Sequence, residues 1–446
     1  MEIVNWILLI VTDVLILFFF TSSMREKEKR AAGLALIALT GNSCLWLLFI
    51  LFKHLKGVSI ANIAVYILGG VFVLVSTIKY LPSSKERDLS TVEKYDERDI
   101  MFARNRLQFH PELAERYYAA HPGKRDIDGK IHGKPELGEP GAFYYDPHRS
   151  PVFDAAFTYL HRTRGTSVGE ISTEKKKVDP EIVTRVIEET ARHYGAVDVG
   201  FTRIKPYHIY SRYGRHVENW GEEINTSHTY AVVIVVAMSV ENIKTAPALP
   251  VVLESARHYV ESAKIAHIIA EYIRSLGYDA RSHTDGNYET LCVPLAVDAG
   301  LGVLGRLGIF MHPVHGPCVR LSIVTTEMEL VPTLPKPGMR SIEKFCDICK
   351  KCADNCPTQS ICVGEEPVSR GFRHWSIDQE KCFSFWKSIG TDCGFCIAVC
   401  PYTKPDTLIH KLVRFYISRN PLNQRIALFL DDLFYGRKKT IPTERS

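Results

Sequence analysis

CDICKKCADNCP at residues 346–357 and CGFCIAVCP at residues 393–401 decide how this chain is read. The first stretch spaces its thiols as Cys346-x2-Cys349-x2-Cys352-x3-Cys356-Pro357. The second runs Cys393-x2-Cys396-x3-Cys400-Pro401, with Cys382 upstream of it. Three cysteines on a tight loop wrap one corner of a four-iron, four-sulfur cube, and the fourth ligand arrives from elsewhere in the chain. One cluster then takes Cys346, Cys349, Cys352 and Cys400. The other takes Cys356, Cys393 and Cys396. Its first short-range ligand is missing, and Cys382 is the available substitute. Zinc would leave the two interlocked Cys-Pro endings unexplained, and disulfides are rare in a reducing cytoplasm. Two clusters side by side make an electron wire, so an acceptor has to be sought upstream.

Cys44, Cys292, Cys318 and Cys362 fall outside these runs and read as buried thiols or apolar filler. The whole chain has 446 residues, with 55 Lys+Arg against 50 Asp+Glu, a formal charge of +5. So small an excess gives no concentrated basic face, and no nucleic-acid partner is expected. Hydrophobic residues are 46% and charged residues 24%, which excludes wholesale disorder.

A mean hydropathy of −0.04 averages two unlike parts. Three apolar stretches, Ile3–Phe20, Ala31–Phe52 and Val58–Tyr80, occupy the N-terminus, and the second and third reach the roughly 20 residues a spanning helix needs. Asp13 is costly in lipid unless it faces a partner helix, and it reads as a helix–helix contact ahead of a proton or quinone pathway. A cleaved signal peptide is disfavoured, because Glu2 is the only early charge and two further apolar stretches follow. Arg25, Lys27, Lys29 and Arg30 lie between the first two stretches, and Lys79, Lys85 and Arg87 follow the third. Only Lys53 and Lys56 lie between the second and third. The richer sides face the cytoplasm. The expectation is a multi-pass protein of the cytoplasmic membrane, embedded in the lipid bilayer with its catalytic part inside the cell.

Residues 83–178 are rich in charge, Pro, Gly and His, with one short helix near Glu112–Ala120, and read as an extended connector that wraps the body. His110, His121, His132 and His148 follow no metal-ligand spacing. Beyond them, helices at Pro180–Tyr194, Pro250–Leu276 and Leu291–Ala299 alternate with strands at Val197–Phe201, Tyr230–Met238 and Val319–Thr326, which implies an α/β body. The expected partition is an anchor at 1–82, the connector at 83–178, an α/β domain at 179–338, a ferredoxin-type domain at 339–410 and a tail at 411–446.

The α/β domain ends in Asp298-Ala-Gly-Leu-Gly-Val-Leu-Gly-Arg-Leu-Gly308, followed by Gly316-Pro-Cys-Val-Arg320. Gly300, Gly302, Gly305 and Gly308 would let backbone approach a bulky ligand closely. A dinucleotide fingerprint fits poorly, because no clear strand precedes the loop in a βαβ unit. The loop, the GPCVR segment and the ferredoxin cassette with its remote Cys together resemble the reductive dehalogenases over roughly residues 175–410. Epoxyqueuosine reductases share that core.

The resemblance implies a nitroreductase-like α/β core that binds a base-off cobamide, fed by two 4Fe–4S clusters. It implies cofactor contacts from Gly300, Gly302, Gly305, Arg306 and Gly308, and a small organohalide as substrate. Its proton donor corresponds to Tyr259, assisted by Arg320 and Asn287. The phenol is protonated at neutral pH, and an adjacent Arg should lower its pKa and ready it as a general acid. On the long helix Tyr259 shares a face with Ala263, Ala266 and Ala270, whose small size would leave room for something large. His283 precedes Gly286 at the spacing of a cobalt-ligating motif, but Arg281 stands where that motif requires Asp, so His283 is not expected to bind cobalt. The electron donor would be a ferredoxin, a flavodoxin or a membrane quinol. Two rivals remain. One is an epoxyqueuosine reductase-like enzyme of tRNA modification, disfavoured by the anchor and the small charge. The other is a membrane-tethered electron-transfer protein with no catalysis of its own.

Overall fold

The computed structural model describes residues 1–80, 92–335, 338–370 and 372–439. Lys85 and Arg87, used above for orientation, and the anchor boundary at residue 82 lie outside the described residues. Three N-terminal helices, α1 (Glu2–Arg25), α2 (Lys29–Leu51) and α3 (Lys56–Thr77), are each long and apolar enough to cross a membrane. Asp13 sits between α1 and α2, where it accepts hydrogen bonds from Asn42 Nδ2 and Ser43 Oγ, both at 2.8 Å. Trp46 stacks on Tyr66 to join α2 to α3. Lys53 pairs with Glu2, so the 52–55 turn and the chain start lie at one end of this bundle.

The body is a four-stranded sheet with helices on both faces. Its helices before the sheet are α4 (Met101–Arg106), α5 (Pro111–Ala120), α6 (Pro122–His132), α7 (Ser150–Thr163) and α8 (Pro180–His193). The sheet is built from β1 (Asp198–Arg203), β2 (Tyr230–Ala237), β3 (Ala280–His283) and Val319–Thr326. Between them lie α9 (Val240–Ile243), α10 (Pro250–Ser275), α11 (Cys292–Asp298) and a small hairpin of β4 (Val303–Leu304) and β5 (Phe310–Met311). Val319–Thr326 is therefore β6, and the strand order is β1-β2-β6-β3.

Every neighbouring pair is antiparallel. Helix–strand alternation suggested parallel crossovers, and one exists: α10 carries the chain from β2 to β3, which run the same way. β6 arrives last and inserts between them, which splits the crossover and makes each adjacent pair antiparallel.

β2 reads as an unbroken apolar run because both its faces are covered. Val232, Ile234 and Val236 pack with Val183, Ile187, Ile265 and Ile269 from α8 and α10. Ala231, Val233 and Val235 pack with Leu295, Ala296 and Leu301 around α11. The small residues on α10 do not clear space for a ligand. Ala266 and Ala270 are fully buried in the sheet-facing core. They let the helix sit so close that Ser322 Oγ of β6 donates to the Ser262 carbonyl at 2.9 Å.

The cassette adds α12 (Met339–Cys349), α13 (Lys351–Asp354), a β7–β8 hairpin (Val368–Ser369 and Phe372–Arg373), α14 (Gln379–Ile389) and α15 (Phe395–Ala398). The segment read as an extended connector is instead mostly helical, and it does wrap: its polar side chains grip α14. Arg104, 1% exposed, bonds Asp128 and also Glu380 at 2.7 Å. Lys387, fully buried, bonds Glu136 at 2.8 Å and Asn105 at 3.2 Å. Buried charges of this kind persist only when paired, so these contacts fix the helix that carries Cys382.

Residues read as a tail form two helices, α16 (Leu408–Ile417) and α17 (Pro421–Tyr435), that belong to the same compact unit as α1–α3. Asn420 Nδ2 donates to the Val75 and Ile78 carbonyls and Asn423 Nδ2 to that of Ser76, at 3.0–3.1 Å. They cap the carbonyls at the end of α3, of which Val75 also accepts from the Ile78 amide. His410 meets Glu26 at 3.0 Å.

Candidate active site

α13 and α15 pack together and bring the two cysteine runs side by side. Burial, and then the thiols of Cys346, Cys349 and Cys352 beside it, hold the Cys400 thiol well above its ordinary pKa. Burial, then Cys393, Cys382, Cys352 and Cys356, do the same for Cys396. Cys382 is pushed up to about 12 by burial and then by Cys393 and Cys356. These neighbourhoods are the two fours expected from spacing, with Cys352 lying between them. Buried, crowded thiols are what a cationic iron cluster would relieve. Among the described residues no three His, Cys, Asp or Glu side chains close on a single ion; a four-iron cube holds its thiolates further apart than one ion does.

A cavity of about 870 Å³ lies beside one of the two sets. Cys356, Cys382, Cys393 and Cys396 line it; Cys346, Cys349, Cys352 and Cys400 do not. Its wall is mainly aromatic and aliphatic, from residues such as Phe157, Phe383, Trp386 and Phe395. Its size is near the upper end for small-molecule sites, which suits a large flat macrocycle with a small substrate beside it.

Tyr259 of α10 and Arg320 of β6 face this cavity together. The Arg320 guanidinium lies 4.9 Å over the Tyr259 ring. It is oriented by Ser255 Oγ at 2.5 Å and by the Asp392 carboxylate at 3.5 Å. Arg320 Nε has no hydrogen-bond partner. Burial raises the Tyr259 phenol to about 12, while Arg320 opposes that rise. The lowering by Arg is the one expected from the residue types, and burial outweighs it. The result is a phenol that keeps its proton at neutral pH.

Asn287 is placed differently. It is 3% exposed and is not part of the cavity lining. Its Nδ2 donates to Ser167 Oγ at 2.6 Å, and its Oδ1 accepts from Arg281 at 3.1 Å. Both ends of the amide are used to brace the turn after β3. His283 is equally engaged: Nδ1 accepts from the Glu289 amide at 3.1 Å, and Nε2 meets Thr325 Oγ1 at 2.8 Å. No ring nitrogen is left for cobalt.

The glycine loop packs against protein. A Cβ on Gly302 would lie 2.2 Å from the Met311 carbonyl oxygen across the β4–β5 hairpin. One on Gly300, whose φ is +69°, would meet Pro335 Cα at 2.7 Å. Arg306, 2% exposed, donates to the carbonyls of Cys346, Cys362, Gly364 and Asp347 and stacks 4.0 Å from the Trp375 ring. It ties the loop to the cassette backbone. Of this stretch, Leu307 and Ile309 reach the cavity, and Gly300, Gly302, Gly305, Arg306 and Gly308 do not.

Sequence reasoning missed Arg106, Arg164, Arg215 and Asp285, which also line the cavity. They come from four separate segments, and no motif joins them. Only the Asp285-Gly286 pair carried a signal, that of a turn.

Residues 345–404 match the family model for a 4Fe-4S dicluster domain. The chain is 33% identical over 238 residues to a tetrachloroethene reductive dehalogenase of Desulfitobacterium hafniense, covering 51% of this chain and 42% of the relative. It is 32% identical over 298 residues to that of Sulfurospirillum multivorans, covering 59% of each. An epoxyqueuosine reductase of Lactococcus garvieae is 25% identical over 122 residues, 25% of this chain and 32% of the relative. The chain thus spans about half the length of the curated relatives it matches. Among solved structures, the catabolic reductive dehalogenase NpRdhA superposes with a TM-score of 0.63 at 21% identity, over 82% of this chain and 52% of that one. That likeness carries the fold of the body and cassette.

Proposed function

We propose that this chain, a homologue of the reductive dehalogenases, is a membrane-anchored, cobamide-dependent iron–sulfur reductase that removes halide from an organohalide. The observation that carries this reading is one cavity lined at once by four cassette thiols and by the Tyr259–Arg320 pair. The net reaction takes R–X, two electrons and one proton to R–H and X⁻.

The cofactors in this reading are two 4Fe–4S clusters and one base-off cobamide on a nitroreductase-like core. A bound cobamide supplies the two-electron reduction of the carbon–halogen bond. The cavity is where it fits: no ring nitrogen of His283 is free to ligate it, and the aromatic wall suits a flat ring. The protein's own groups do the rest. Cys356, Cys382, Cys393 and Cys396, which line the cavity, would hold one cluster, and Cys346, Cys349, Cys352 and Cys400 would hold the other. Together they would supply the cavity with electrons from a ferredoxin, a flavodoxin or a membrane quinol. Tyr259 holds a proton at its phenol oxygen and gives it to the product carbon. Arg320 then faces the phenolate, so its charge favours the transferred state. Asn287 supports the site from behind by bracing the turn that carries Asp285. The GLG-x-x-GR-x-G loop is a scaffold between the core and the cassette.

In this reading the three apolar helices anchor the chain in the cytoplasmic membrane, and the catalytic part works inside the cell. Arg25, Lys27, Lys29 and Arg30 support that orientation. Protein reconstituted anaerobically with iron, sulfide and cobamide, and given a strong reductant, should release halide from organohalides. Reduction of a tRNA epoxyqueuosine without halide release would assign the chain to the neighbouring enzyme instead. Electron throughput with neither product would leave only the electron-transfer role.

A further inference from the structure

Arg106 at the end of α4, Arg164 just after α7 and Arg215 between β1 and β2 converge on one wall of the cavity, beside Asp285. Arg215 is satisfied: its Nε donates to Glu97 Oε1 at 2.7 Å, and Glu97 is fully buried. Arg106 donates one Nη1 bond to the Arg215 carbonyl. The Arg164 side chain makes no hydrogen bond or ion pair among the described residues, and its Nε is buried without a partner. No carboxylate lies within 4.0 Å of Arg106 or Arg164 among the described residues. Asp285, Glu218 and Glu97 act on these guanidinium groups from beyond contact distance, and Glu97 already serves Arg215.

The backbone is shaped for this arrangement. Gly286 has φ +67°, and a Cβ there would lie 2.3 Å from Arg164 Nη2. A side chain at 286 would strain the backbone and displace the guanidinium from the turn. Burial, and then the charge of Arg215 on Arg106 and of Arg106 on Arg164, act against both guanidinium groups. Burial also holds Asp285 above the usual carboxylate range, which weakens it as a countercharge. An unpaired, half-buried guanidinium is costly unless a ligand pairs with it, and a guanidinium fork matches the geometry of a carboxylate.

Building on the dehalogenation reading above, we propose that Arg106 and Arg164 form an oxyanion pocket for the substrate's carboxylate. The chain then acts on halogenated carboxylic acids in preference to neutral organohalides. The pocket sets specificity and takes no part in the bond-breaking step.

The test uses the full chain loaded with clusters and cobamide. Halobenzoates and haloacetates are compared with their neutral amides, in the wild type and in Arg106→Gln, Arg164→Gln and Arg164→Lys. Binding of unhalogenated benzoate and acetate is measured by calorimetry on the same preparations. The proposal expects the acids to be favoured over the amides in kcat/KM by about 100-fold, the range of a charged, bidentate contact. Arg164→Gln and Arg106→Gln should raise KM for the acids about tenfold or more with little change in kcat. The change for the amides should be smaller, and Arg164→Lys should recover part of the loss. Calorimetric binding of the plain carboxylate should weaken in step. Equal turnover of acids and amides, unchanged by the variants, overturns the proposal and leaves the dehalogenation reading standing. Loss of bound cobamide in the Gln variants overturns it as well, by assigning the pocket to the cofactor's phosphate. If no organohalide is reduced, the dehalogenation reading fails, and the calorimetric arm still decides whether the arginines bind a carboxylate.

Discussion

The cysteine cassette and the cavity wall supplied by residues 92–178 meet at α14, yet they record their roles in opposite ways. The cassette writes its chemistry into local spacing, because four thiolates must converge on one rigid cube and short loops can reach it in few ways. The wall writes nothing locally. Arg106 and Arg164 sit 58 residues apart, and each is one arginine in a charged stretch. They become a site only when α4 and α7 fold over the sheet and the cassette. A rigid inorganic ligand leaves a spaced signature; a cavity assembled from tertiary contacts does not.

The largest expected effect strikes where the two regions touch. Cys382 was assigned as a ligand by elimination, and it lies on the helix the connector grips. Cys382→Ala should lower bound iron by up to one cluster's worth, from about eight per chain, and abolish turnover. Full iron content with the cluster's EPR signal intact would take Cys382 out of the ligand set, and the cassette would be less legible than claimed here.

Next is Tyr259→Phe, which removes a proton donor without touching a thiol. The rate should fall about 10²–10⁴-fold, the usual contribution of a positioned acid. Iron and cobamide content should stay unchanged. Unchanged turnover would move proton delivery to another group on the wall.

Arg306 is the join between glycine loop and cassette. Arg306→Met leaves several buried carbonyls without a donor and should cost about 3 kcal/mol of stability, at 1–3 kcal/mol for each unsatisfied group with partial relaxation. Denaturant unfolding of the purified protein measures this. A loss of cobamide with no loss of stability would return the loop to the cofactor.

The smallest effect is on pH. Burial holds the neutral His283 imidazole well below its ordinary pKa. The unfolded chain therefore binds that proton more readily than the folded one. Stability from this residue is fully present above about pH 6.5 and declines as pH falls below it, by at most about 1.4 kcal/mol per pH unit. His283→Gln should flatten that dependence; an unaltered slope would show that other groups carry it.

How much was legible follows the same division. The three apolar helices, the buried strand β2 and the long helix α10 were plain, because each states its environment in its own periodicity. The antiparallel order was not, because β6 enters between β2 and β3 from 36 residues beyond the end of β3. Ala266 and Ala270 were misread: a small residue on a helix marks close approach, and sequence does not say whether sheet or ligand approaches. Tyr259 and Arg320 were found through a resemblance. Asn287 was found the same way, but its amide is used up by Ser167 and Arg281. The connector's helices were hidden by weak periodicity, since Arg104, Lys387, Asp128 and Glu136 hold that interface with paired charges alongside a small apolar cluster of Met101, Ile131 and Phe383.

The central claim is that the cassette ends at a corrin ring in the adjoining cavity. Anaerobically purified full-length protein, prepared with added cobamide, should therefore show two 4Fe–4S signals and one stoichiometric base-off cobamide in the same absorption and EPR spectra. Protein that holds both clusters but takes up no cobamide would contradict the account.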